Sequence, residues 1–277
     1  MRSTADLPFA TSSQDVTSGS TSSGAPLVHR IRVAARIAAV ELRLFLREPG
    51  TLVGLLAFPA VTVIVLAGVF GETPDPEFAG VRPSEHYVVG YVGVVLAHVG
   101  IVALPVHVAS RRELGVVRRY RASGVSAAST VVSYAAVGLV LGVVASIVVL
   151  LVGGSIYGIP TPVDPVAVVG WFVAGLVCFV ALGIALGTLM PSSRAANAFG
   201  NLLFVPMFLL GGGGPPRDVM TGPMQAVSDA LPLSHVIGGL RKSWLGATDD
   251  PRALWWTALV AAVATAFAYR SGRRHVS

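Results

Sequence analysis

Five arginines fall within the fifteen residues SRRELGVVRRYRASG (Ser110–Gly124), with Glu113 and Gly115 among them and long apolar runs on either side. Charge of this kind can hold a loop on one side of a membrane, or it can dock on a protein. Groups for bond-breaking chemistry are missing. No carboxylate pair, no Ser/His/Asp arrangement and no His/Cys cluster occurs, so no catalytic residue and no metal ligand is expected. The one cysteine, Cys178, lies inside an apolar run and reads as a small buried hydrophobe. A P-loop needs G-x-x-x-x-G-K-[ST], because its lysine neutralises phosphate. The only lysine, Lys242, follows Arg241 rather than a glycine, so the chain does not bind ATP in that way.

The elements around these residues are set by apolarity. Of 277 residues, 53% are hydrophobic and 12% charged, with a mean hydropathy of +0.73. A soluble domain carries about 25% charged residues, so lipid must be the solvent for most of this chain. The net charge of +6 does not indicate nucleic acid, since the basic residues lie between apolar runs. Residues 1–26 are rich in Ser, Thr and Gly, lack the apolar core of a signal peptide, and read as a disordered tail. Six charge-free runs follow, at about 51–70, 87–108, 126–152, 166–190, 195–214 and 253–269. Each is long enough to cross a bilayer, for which a helix needs about 20 residues. The expected fold is an all-α membrane protein of six transmembrane helices over 49–277, preceded by an interfacial helix over 27–48.

Fifteen of the twenty Lys/Arg residues lie before span one, in alternate loops and after span six. By the positive-inside rule this puts both termini, and the 110–124 loop, in the cytoplasm of a multi-pass cell-membrane protein. A topological signal requires no Glu or Gly at fixed offsets, and no closing Ala-Ser-Gly. The segment therefore reads as a short helix along the membrane face, built to dock, with Arg111, Arg112, Glu113, Gly115, Arg118 and Arg119 as its marked residues. In the interfacial helix, Arg32, Arg36, Arg43 and Arg47 are spaced 4, 7 and 4, one narrow stripe at about 100° per residue. Ile31, Ala38, Leu42 and Phe45 occupy another face. Such a helix lies in the headgroup layer, where membrane lipid is its partner.

Spans without Asp, Glu, Lys or Arg argue against an ion-coupled carrier, which places such a group at membrane depth. Two stripes are candidates for lining a neutral, aromatic path. Tyr87, Tyr91 and His98 share a face of span two, and Asn197, Asn201, Phe204 and Phe208 share a face of span five. The alternative for both is helix–helix packing.

An interfacial helix, an R-E-x-G loop after span two and six in-to-in spans stand in a fixed order. After span five come Gly211–Gly214, Pro215–Pro216, then Leu231-Pro232-Leu233-Ser234 and Arg241. This order resembles the ABC-2 family of ABC-transporter permeases, especially its drug-resistance and daunorubicin-exporter-like members. Arg112, Glu113, Gly115 and Arg119 carry the loop's likeness, although Gly124 stands where the family often has proline. The resemblance implies an exporter subunit that pairs with a second permease, a like copy in preference to a different one. It implies two copies of a separate ATP-binding subunit docked on the 110–124 loop, with ATP and magnesium bound there and no cofactor in this chain. The implied cargo is a small apolar or amphipathic drug, antibiotic or lipid. The rival readings are an ion-coupled secondary carrier and a non-transporting membrane scaffold.

Overall fold

In the computed structural model, the described residues are 27–47, 49–78, 80–246 and 251–274; the expected tail at 1–26 lies outside them. All regular structure among the described residues is helical. Helix α1 (Leu27–Leu46) leads into α2 (Pro49–Val69), and a long element follows, made of α3 (Pro83–His98), a π-helical stretch (Val99–Ala103) and α4 (Leu104–Glu113). Then come α5 (Val116–Ala122), α6 (Ala127–Tyr157), α7 (Pro165–Leu189) and α8 (Ser193–Leu210). Two short helices, α9 (Gly222–Ala230) and α10 (Pro232–Leu245), precede α11 (Pro251–Arg274).

The six apolar runs fall on α2, on α3–α4, and on α6, α7, α8 and α11. Among the described residues three helical stretches are long and apolar enough to cross a membrane: the one ending at Glu113, Ala127–Tyr157 and Pro165–Leu189. Val53–Val69 and Trp255–Ala266 are shorter apolar stretches of helix. Helix α8 has 18 residues, just under the ~20 of a full crossing, because the glycine run from Gly211 ends it.

The α3–α4 element is the axle of the bundle. It packs against α2, α6, α7, α8 and α10, and most of its residues are buried. Its π turns have a local cause. Pro105 offers no N–H to the carbonyl of Ile101, and its ring would strike that oxygen; widening the preceding turns relieves both problems. The widened stretch is also where backbones come closest. A Cβ on Gly183 of α7 would overlap the Gly100 carbonyl, and one on Gly200 of α8 would sit 2.5 Å from the Ile101 carbonyl. Small residues at such crossings let dispersion contacts replace the hydrophobic drive that lipid removes.

The other helices start and stop for ordinary reasons. Ser126, Asp164 and Ser192 each accept a backbone N–H three residues on, at 3.1, 3.0 and 3.0 Å, and so cap α6, α7 and α8. Helices α9 and α10 lie in the segment between spans five and six. Neither spans, but α10 sinks Leu233, Val236, Ile237 and Leu240 into the bundle against α3 and α7.

Candidate functional site

The 110–124 loop is a turn of helix tied to the bundle. Helix α4 ends at Glu113, and Gly115, at φ +68°, provides the left-handed turn from which α5 starts. Arg112 donates from Nη1 to the carbonyls of Gly187, Thr188 and Met190 at 2.9, 2.7 and 3.1 Å. These are the orphan carbonyls at the end of α7, where the helix dipole is negative. Next to it, Glu113 accepts the backbone N–H of Ser193 at 3.0 Å, in the first turn of α8. Adjacent residues of opposite charge therefore cap the end of one helix and the start of the next. Hydrogen bonds from Ser193, with help from the Arg194 charge, hold the Glu113 carboxyl below its usual range.

Arg111 points the other way, into a cluster with no counterpart in the sequence reading. Its Nε lies 2.6 Å from Oε2 of Glu41, a residue of α1 that is only 1% exposed. His107 Nε2 is 3.3 Å from the same oxygen, and the Tyr120 hydroxyl donates to Glu41 Oε1 at 3.2 Å. One carboxylate thus gathers α1, α4 and α5. Burial acts to raise the Glu41 pKa, but the hydrogen bond from His107, the Arg111 charge and the Tyr120 hydroxyl outweigh it and hold the carboxyl low. The sequence does carry a signal for it. Ala34, Ile37, Glu41 and Phe45 are spaced 3, 4 and 4 and form the buried stripe of α1, on which Glu41 is the single acid.

The rest of the expected docking set faces outward. Arg118 and Arg119 are exposed, and Leu114 is 59% exposed. The arginines expected on the outer stripe of α1, Arg32, Arg36, Arg43 and Arg47, are all exposed. Of the residues expected on its apolar face, Phe45 is buried, while Ala38 and Leu42 pack partly buried against the core.

The two candidate path stripes meet. Tyr87 and Tyr91 are wholly buried. From Phe70 of the α2 end, ring contacts run to Tyr87 (5.6 Å), Tyr91 (6.4 Å), Phe208 (6.2 Å) and Phe204 (6.0 Å). They end at His98, which lies 5.0 Å from Phe204 and 5.4 Å from Phe58 of α2. Within one chain these rings pack α2, α3 and α8 together. Asn197 and Asn201 stand apart from them, exposed on α8, where the Asn201 amide donates to the Asn197 carbonyl and side chain at 2.8 and 2.9 Å.

At the opposite end of the bundle, Arg241 of α10 donates to the carbonyls of His86 (2.9 Å) and Gly212 (2.8 Å). Gly90 makes room for it, since a Cβ there would overlap the guanidinium. Among the described residues no carboxylate pairs with Arg241.

A buried axle helix, a polar-capped loop at one end and a short re-entering helix at the other make a helical membrane domain. The family model for the ABC-2 type transporter matches residues 35–245, about three quarters of the chain. The chain belongs to the ABC-2 type transporter family, as a membrane-spanning permease component rather than the ATPase. No curated protein matches it.

Proposed function

We propose that this ABC-2 permease is the membrane subunit of an ATP-driven exporter in the cell membrane, with both termini and the 110–124 loop in the cytoplasm. A separate ATP-binding subunit, carrying ATP and magnesium, docks on that loop. Two permeases, in preference two like copies, and two ATP-binding subunits form the working assembly, and the cargo is apolar or amphipathic.

One observation carries the docking reading. The inner edge of the loop is fixed by Arg111, Arg112 and Glu113 to α1, α7 and α8, while α5 presents Arg118 and Arg119 outward, with Leu114 exposed just before it. A push on α5 would therefore reach three other helices through short polar contacts rather than be absorbed by a slack loop. Motion of the ATP-binding subunits is the push that such a lever suits. The charge-free spans support an apolar cargo over an ion-coupled mechanism.

The test is co-purification of the ATP-binding subunit in mild detergent. Arg118→Glu with Arg119→Glu should lower its recovery at least about tenfold, as repulsion replaces complementary charge, and should abolish efflux while the permease still inserts. Undiminished recovery and efflux in that double variant would remove the docking assignment.

A further inference from the structure

A cleft of about 510 Å³ opens beside the loop, between the ends of α4, α5, α6 and α7. It goes beyond docking and needs only the cytoplasmic orientation given above. Along α6 it runs from Ala127 to Tyr134, two turns or about 10 Å into the depth of the membrane. Val108, Val131 and Ile184 give it apolar walls, and Arg112 and Arg118 line it beside them.

The polar groups in this cleft are mostly donors. The three bonds of Arg112 all leave from Nη1, so its Nε and Nη2 make no hydrogen bond among the described residues. Arg118 is exposed. The Tyr134 side chain is 3% exposed, yet its hydroxyl makes no hydrogen bond among the described residues. A buried hydroxyl left unpaired costs about 1–3 kcal/mol, which makes it a group awaiting an acceptor. The one acid in the wall, Glu113, already accepts a backbone N–H from Ser193. Two guanidiniums over an apolar slot therefore ask for an anion with a hydrocarbon tail.

We infer that the cleft between Arg112, Arg118, Tyr134 and the Val108–Val131–Ile184 wall binds one anionic phospholipid of the cytoplasmic leaflet. Its phosphate lies against the arginines and an acyl chain lies along the valines. A small soluble anion would be served by the arginines alone and would leave the apolar depth unfilled. The lipid satisfies both, and it stands in the leaflet at the level of these helix ends.

Native mass spectrometry of the full chain in mild detergent, given equal amounts of phosphatidylglycerol and phosphatidylcholine, reads this directly. One phosphatidylglycerol should be retained with about tenfold preference, as two arginines near a lipid phosphate would give. Val131→Trp, which fills the slot, should abolish retention of that lipid, and Arg118→Gln, which leaves Arg112, should cut the preference to about threefold. If Val131→Trp does not fold, the Arg118→Gln ratio decides alone. Equal retention of the two lipids, or a preference unchanged in either variant, overturns the assignment. So does displacement of the lipid by millimolar inorganic phosphate, which would mark a soluble-anion site. Loss of the lipid when the ATP-binding subunit is added would assign the cleft to the protein interface instead.

Discussion

Two arginines, Arg111 and Arg241, one toward each end of this bundle, are held in opposite ways. At the loop end, Arg111 is matched by Glu41, and Arg112 and Glu113 cap the ends of α7 and α8. At the far end, Arg241 has only two carbonyls, with Gly90 clearing the space it occupies. The difference shows what each end is built to resist. The Arg111–Glu41 pair keeps its geometry when one helix is pulled against another, because separating it exposes both charges. A cation on two carbonyls fixes α10 in place more weakly, since neither oxygen carries a full charge and either can turn to another donor. The loop end is thus the stiff end and α10 the yielding one.

The sharpest way to break this contrast is to remove Glu41. Truncating one partner of a buried ion pair costs about 3 kcal/mol or more, since the other charge is left stranded. Glu41→Ala should lower thermal stability in detergent by that order and free α1 from the loop. Because the interaction is shared, Glu41→Ala with Arg111→Ala should cost clearly less than the sum of the single changes. Additive losses would mean that the pair does not act as a unit. At the far end, Arg241→Gln keeps a donor for one carbonyl and should cost less, about 1 kcal/mol. A larger loss there than at Glu41 would reverse the assignment of stiff and yielding ends.

The contrast was only partly visible in the sequence. Apolar runs set the helices closely, because a bilayer imposes length and apolarity on each span. The Arg112–Glu113–Gly115 pattern marked the loop, and the structure adds inward caps that linear spacing does not reveal. Which helix ends they meet depends on how α7 and α8 return to the loop, about 75 to 80 residues later. Glu41 was hidden for a different reason. The four-arginine stripe on α1 drew the reading to its exposed face, while the buried face is offset and carries the acid. Tyr87, Tyr91 and His98 share a helix face, as the periodicity says. Periodicity does not say what the face meets, and within this chain it meets Phe58, Phe204 and Phe208.

Acidity offers the gentlest test of the stiff end, because it weakens the carboxylates without changing the sequence. Glu41 and Glu113 are both held below the ordinary carboxylate pKa in the folded protein. A carboxyl with a lowered folded-state pKa adds stability that is fully present above its unfolded value and is lost as pH falls through the folded one. The loop end should therefore loosen below the usual carboxylate range, while the Arg241 contacts, which contain no carboxylate, should not respond there. Hydrogen exchange at α1 and α5, compared with α10 between neutral pH and a pH below the usual carboxylate range, separates the two ends. Glu113→Gln retains an oxygen for the Ser193 N–H but has no charge to lose. It should change little at neutral pH and remove only the part of the acid response seen at the start of α8. If α10 exchanges faster on acidification while α1 and α5 stay protected, charge pairing does not account for the stiffness of the loop end.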